Sequence, residues 1–281
     1  MRFGISTHLY HDRPLAAEHL RELAEFGFSQ VELFATIGHF DYRDQAAIDA
    51  LAGWLREAGL ALHSVHAPIV EHRWNGRWGS ALSTASSDDP VRGHAMAECL
   101  AALQIARTIP YRYLVVHLGI PDDLNPPAAA NARQAAQRSV EELVAAARPL
   151  GVRIAVEVIP NKLSAAGALV RLVEEELEAT APGVGICLDT GHAHLMGDLA
   201  DAIEAVGGEL VTTHVHDNGG KGDDHLVPFD GTIDWPTALM SFQKVGYDGL
   251  IMFELENTST AREVLEKTVS VRRRFEAIVA A

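Results

Sequence analysis

Residues 187–195 read CLDTGHAHL: an apolar run ends in Asp189, and His192 and His194 follow within five residues. Packing has no use for a carboxylate and two imidazoles where a buried strand runs out, whereas a divalent metal ion does. Comparable groups close other apolar runs. His66 precedes Pro68, His117 precedes Gly119, and Glu157 precedes Pro160. LVTTHVHDN carries His214, His216 and Asp217, the following GDDHLVPFDG carries Asp223 and His225, and GLIMFELEN carries Glu254 and Glu256. A single strand-end histidine is more often a hydrogen-bonded structural residue than a ligand, and a single glutamate there is more often a solvated or ion-paired group. The repetition of such groups along the chain is the informative feature.

Eight short runs rich in Val, Ile and Leu read as buried strands: RFGIST, QVELFA, LALHSVHAP, YRYLVVHLG, VRIAVEVIP, VGICLDTG, LVTTHVHDN and GLIMFELEN. Segments of helical period lie between them, over 14–26, 45–58, 91–108, 128–150, 165–179 and 262–277. Gly27, Gly59 and Gly151 each stop a helical segment before a strand. Near-continuous apolar strands alternating with helices make a parallel sheet covered on both faces. Eight such units in 281 residues predict an α/β fold, the (β/α)8 TIM barrel, as a single domain over 1–281. The doubly wound sheet competes, but no Gly-rich phosphate fingerprint follows the first strand, so no nucleotide cofactor is expected. In a barrel the active site collects at the C-terminal strand ends, and six of the eight strands deliver a metal-capable side chain there.

The composition narrows the function. A formal net charge of −15 repels nucleic acid unless a local basic patch overrides it. No apolar run approaches the ~18 residues of a membrane span, and the N-terminus MRFGISTHLY lacks the apolar region of a signal peptide. Two cysteines, Cys99 and Cys187, are too few for a disulfide framework and fit a reducing cytoplasm. The sequence leaves homo-oligomerisation open.

SVHAP, VVHLG, AVEVIPN, LDTGHAH, HVHDN with DDHLVPFDGTIDW, and MFELE together resemble the xylose isomerase-like TIM barrels. That superfamily includes sugar isomerases and epimerases, inosose dehydratases and the DNA-repair enzyme endonuclease IV. The resemblance runs from the first strand to the last helix. It implies that Glu157, Asp189, His214 and Glu254 form a central divalent-metal site. It implies that His66 and His117 share Glu157 with a second metal, and that His192, Asp223 and His225 hold a third, as in endonuclease IV.

The residue types agree with that chemistry. Mixed imidazole and carboxylate ligands suit Zn²⁺, Mn²⁺ or Co²⁺ better than Mg²⁺. Such an ion, bound by the carbonyl and hydroxyl of an open-chain sugar, stabilises an enediolate. Glu157 and Glu254, on opposite sides of the barrel mouth, are the candidate acid–base pair. His192 is within reach of a substrate oxygen or a further metal. The loop VEHRWNGRWGSALSTASSDD reads as a lid whose Arg73, Trp74 and Trp78 contact substrate. Among the remaining groups, His63 and His194 read as structural and Cys187 as a small buried hydrophobe. Asp217 reads as a residue orienting a ligand, and Glu256 as rim polarity. His8 and His11 either touch substrate or cap their loop. His214 is preferred over His216 because H-x-x-D with Asp217 fits the family pattern.

Two functions follow: a metal-dependent sugar or sugar-phosphate isomerase or epimerase, and a zinc phosphodiesterase of the endonuclease IV kind acting at abasic sites. A barrel that binds metal without activity is a third, which the intact pair of Glu157 and Glu254 opposes. The nine-ligand pattern favours the phosphodiesterase; the charge and the sequence IVEHRW after HAP favour the sugar enzyme. The expected result is no binding to duplex DNA at physiological salt, read by fluorescence anisotropy. Binding in the range of about 10⁻⁴ to 10⁻⁶ M typical of non-specific DNA binders, with nicking of an abasic-site duplex, overturns the choice of class.

Overall fold

The computed structural model describes residues 1–281 except Asn75 and Thr258. Each apolar run forms a strand: β1 (Arg2–Ser6), β2 (Gln30–Phe34), β3 (Ala61–His66), β6 (Tyr113–Val116), β7 (Arg153–Glu157), β8 (Gly185–Asp189), β9 (Leu210–His214) and β10 (Leu250–Phe253). The β4 and β5 strands, Arg73–Trp74 and Arg77–Trp78, form a small separate hairpin. The eight barrel strands run parallel in the order β10-β1-β2-β3-β6-β7-β8-β9. A parallel bridge between Val215 and Phe253 brings the two ends together. There the Val215 N–H donates to the Met252 carbonyl at 2.8 Å, and the Glu254 N–H to the Val215 carbonyl at 3.2 Å. The fold is a single-domain (β/α)8 barrel.

The helices expected from periodicity appear with adjusted ends: α1 (Ala17–Glu25), α2 (Gln45–Ala58), α3 (Asp89–Leu103), α4 (Arg133–Ala147), α5 (Ala166–Arg171) and α9 (Ala261–Ala280). Short 3₁₀ turns extend α3 and flank α4, and a π turn follows α5. Three further helices, α6 (Thr190–Met196), α7 (Leu199–Val206) and α8 (Trp235–Lys244), complete the set beyond those expected from periodicity. Side-chain caps start several helices: the Ala46 N–H donates to Asp44, and the Val91 N–H donates to Asp88. Among the described residues no helix is long and apolar enough to cross a membrane.

The main core lies between strands and helices, with Trp235, Phe253 and Phe275 fully buried. A small second cluster of Val115, Ala155 and Cys187, with Tyr113 against it, is separate from that core. Val115 pairs with Ala155 across β6 and β7, and side chains of equal parity share a sheet face. His117, Glu157 and Asp189 therefore stand two residues further along the same face as this apolar layer. The barrel interior is packed below and polar above.

The hairpin is held at its base. The Arg73 N–H donates to the Ile37 carbonyl at 2.7 Å, and Gly38, at φ +101°, lies so close that a Cβ there would stand 1.9 Å from the Arg73 carbonyl oxygen. Replacing Gly38→Ala is expected to displace the hairpin and lower the melting temperature, at a cost of at least about 1 kcal/mol. An unchanged calorimetric transition would show that this contact does not hold the hairpin.

Candidate metal and active site

Glu157 ends β7 with its carboxylate fully buried, and four histidines from four other elements surround it. His66 Nε2 and His117 Nε2 each lie 3.2 Å from Oε2. His214 Nδ1 lies 3.1 Å and His192 Nδ1 3.6 Å from Oε1. His214 Nδ1 also stands 3.4 Å from Glu254 Oε2. Asp189 ends β8 and caps α6, accepting the His192 N–H at 2.7 Å. Its carboxylate meets His216 Nε2 at 3.0 Å. Asp223 gathers the outer group, with His192 Nε2 and His225 Nε2 each 3.1 Å from Oδ2.

The nine residues expected to bind metal therefore converge on one rim. The two histidines of β9 and its extension divide the work: His214 reaches Glu157 and Glu254, while His216 reaches Asp189 and Asp223. Glu32, on β2, joins the site although the sequence pattern does not single it out. It is fully buried, lies 3.0 Å from His214 Nε2 and accepts the Ser64 hydroxyl at 2.7 Å. With Nε2–H directed at Glu32, His214 turns Nδ1 towards the site, the arrangement in which a carboxylate orients a ligating imidazole. The available signal was one charged residue in the otherwise apolar QVELF.

Several side chains have other work. Asp217 accepts from the Trp235 indole N–H at 2.8 Å and from the Phe229 and Ile233 N–H groups at 2.9 and 3.1 Å. It shapes the loop that carries Asp223 and His225, rather than orienting a ligand directly. His63 is buried near Thr212, and His194 meets the Thr232 hydroxyl at 2.9 Å. Cys187 belongs to the apolar layer below.

A cavity of about 450 Å³ opens over this rim. Glu254, His66, His117, His192, Asp223 and His225 line it, as do Arg73 and Trp78. Glu157 and Asp189 do not, being fully covered. The hairpin forms one wall: Arg73 lies over the Trp78 ring at 4.7 Å, and Trp78 stacks on His11 at 5.3 Å. Trp74, 65% exposed, lies outside the cavity. His8 and His11 line it, with His11 Nε2 3.4 Å from Glu256.

The donor set suits divalent cations. Among the described residues, buried His117 Nε2, Glu157 Oε2, His192 Nδ1 and Glu254 Oε1 have no partner in hydrogen-bond geometry, although buried polar atoms are ordinarily paired. Several groups offer converging ligand atoms, among them His66, His117 and Glu157; His66, His214 and Glu254; and His192, His216, Asp223 and His225. Mixed imidazole and carboxylate donors of this kind suit Zn²⁺, Mn²⁺ or Co²⁺. Burial alone would push the Glu157 carboxyl up, but His214 and His117 hold it well below the usual carboxylate range. Burial also opposes protonation of His66 and His225; Glu157 raises the first to about 8, and Asp223 raises the second to about 10.

The chain matches the family model for the xylose isomerase-like TIM barrel over residues 20–275, and it belongs to that family. An uncharacterised protein of Methanocaldococcus jannaschii is 27% identical over 279 residues, covering 96% of this chain and 90% of the relative. A solved structure described as a D-tagatose 3-epimerase-like protein superposes with a TM-score of 0.80 at 24% identity, over all of this chain and 98% of that one. The IolI protein, solved with a bound zinc atom, superposes with a TM-score of 0.77 at 18% identity, over all of this chain and 98% of that one.

The raised histidines are largely protonated in the metal-free protein near neutrality, so a cation entering the rim must displace protons. Calorimetric titration with Zn²⁺ at about pH 7.5, in buffers of different ionisation enthalpy, is expected to show release of at least about one proton per chain. Binding without proton release contradicts these shifts.

Proposed function

We propose that this protein is a metal-dependent isomerase or epimerase of a small sugar or sugar phosphate, acting by proton transfer through an enediolate. The observation that carries the reading is Glu254, a carboxylate that lines a sugar-sized cavity beside buried imidazole and carboxylate groups suited to a divalent ion. Glu157, Asp189, His214 and Glu254 would hold the central ion, with His66 and His117 beside Glu157. When bound there, the ion supplies Lewis-acid polarisation of a carbonyl oxygen.

The chain's own groups do the rest. Glu254 faces the cavity and takes the proton from the carbon next to the carbonyl. Glu157, on the far side of the His214 nitrogen, is the candidate partner carboxylate, and returning a proton to the other face requires its covered oxygens to open to the cavity. His192 offers its ring to a substrate hydroxyl. Trp78 gives a flat apolar face to the sugar, and Arg73 hydrogen-bonds its polar end. The hairpin that carries them limits water at the reacting carbon. Sugar epimerases among the structural neighbours support the substrate class. Two buried free cysteines, Cys99 and Cys187, support a cytoplasmic setting.

Convergence of all nine rim residues also favours a phosphodiesterase reading, and turnover assays on open-chain sugars separate the two. Glu254→Gln keeps the side-chain size and removes the proton acceptor. Turnover is expected to fall about 10²- to 10⁴-fold, with metal still retained. In D₂O the wild type is expected to place deuterium at the carbon next to the carbonyl, and the variant to lose that exchange. Normal turnover by a metal-loaded Glu254→Gln would remove Glu254 from proton transfer.

A further inference from the structure

Three arginines meet at the end of the barrel opposite the rim. Arg2, Arg112 and Arg272 line a pocket of about 300 Å³. Arg2 opens β1, and Tyr113 and Leu250, which also line the pocket, open β6 and β10. The pocket therefore lies at the N-terminal strand ends, away from the face that carries barrel chemistry. Among the described residues no Asp or Glu lines it, although acids outnumber Lys and Arg by 38 to 23 in this chain. Nor does any described carboxylate oxygen come within the 4.0 Å of an ion pair from these three side chains. The neighbouring Arg153, by contrast, reaches Glu209 at 3.9 Å.

Two of the guanidiniums are held in place without being neutralised. Arg2 Nη2 donates to the Asp248 carbonyl at 2.8 Å. Arg272 donates to the Phe26 and Gly27 carbonyls, and its guanidinium lies over the Phe28 ring at 4.5 Å. Burial holds Arg272 below the usual arginine range, and Glu276 offsets this only in part. Partly buried guanidiniums are ordinarily paired with an anion.

His63 reaches the same pocket from the barrel interior. It is only 8% exposed, yet its Nε2 has no closer side-chain partner than the Thr212 hydroxyl at 3.5 Å, the outer limit of a hydrogen bond. The pairing of β2 with β3 passes from Leu62 to Ser64 and skips His63. His63 is thus the extra residue of a bulge, a device that re-aims a side chain. Its carbonyl accepts the Arg112 N–H at 2.9 Å, which ties the bulge to the arginine. Burial pushes the His63 imidazole down to about 4, against the pull of Glu32 and with help from Arg112 and Arg2. A neutral imidazole carries one N–H that can donate to an oxyanion.

We propose that this pocket is a second ligand site, which takes a phosphoryl group, free as inorganic phosphate or carried by a small ester. Arginine forks match the oxygens of phosphate with paired N–H donors. Three cations and one neutral N–H suit a doubly charged tetrahedral oxyanion better than a singly charged carboxylate. Phe3 and Tyr113, on the pocket wall, offer apolar faces to the organic part of an ester. A ligand there bridges β1, the start of β6 and α9, and so stabilises the folded barrel by mass action.

The test uses the full chain, stripped by chelator so that no ion at the rim captures phosphate. It is titrated calorimetrically with inorganic phosphate and, separately, with glycerol 3-phosphate, at constant ionic strength. Saturable binding is expected, with a melting temperature that rises with ligand concentration. Arg112→Met, at an exposed position, and Arg2→Met are each expected to weaken binding at least about tenfold. Arg73→Met, at the opposite end of the barrel, is expected to leave it unchanged. Tighter binding of the ester assigns its organic part to the pocket, and tighter or equal binding of inorganic phosphate assigns the free ion. No saturable binding, affinity that survives both Arg112→Met and Arg2→Met, or affinity lost in Arg73→Met overturns the proposal. Sugar turnover is not read, so the outcome bears on this pocket alone.

Discussion

An ionised carboxylate with no exposure to water survives only where opposite charge or hydrogen-bond donors replace its hydration. Glu157 is such a group, at the end of a barrel strand with 0% exposure. Everything nearby answers to it. His66, His117, His192 and His214 arrive from separate strands and from α6 to surround it. Glu32 then stands behind His214 and balances the charge gathered there. Removing one of these groups would strand the others, so the interior above the apolar layer behaves as one connected polar unit.

The barrel makes this arrangement affordable. Parallel strands in fixed register raise one inward side chain from each strand to a common height. The layer of Val115, Ala155 and Cys187 beneath closes the interior to water, which strengthens the electrostatics above it. The outer rim works differently. Asp223 and His225 lie on a long loop, and the loop owes its course to Asp217, which accepts hydrogen bonds from Trp235, Phe229 and Ile233. One buried carboxylate organises chain geometry while its neighbours present ligands. The H-x-x-D spacing from His214 to Asp217 thus joins a site residue to a scaffold residue.

The cavity wall shows how local folding sets access. Gly38 lets the β2–α2 loop approach the hairpin, the hairpin places Trp78 against His11, and Arg73 lies over the indole. Trp74 shares the hairpin but faces solvent, since neighbouring strand residues point to opposite sides. Of two tryptophans alike in the sequence, only Trp78 borders the cavity.

The sequence by itself determined the architecture and most of the rim. Its alternation of apolar runs and helical periods reflects local burial, and local burial is what decides strand and helix. The helices expected from the sequence do not include α6, α7 and α8, although α8 is longer than α1 and α5, which they do include. The rim residues were legible because strand ends in a barrel all point to one face. Tertiary structure decided the pairings: that His214 serves Glu157 while His216 serves Asp189 and Asp223, that Glu32 completes the interior, and that Glu254 borders the cavity while Glu157 is covered. None of these depends on sequence spacing. Most depend on distances between elements far apart in the chain, and those are fixed only when the barrel closes and the buried charges find partners.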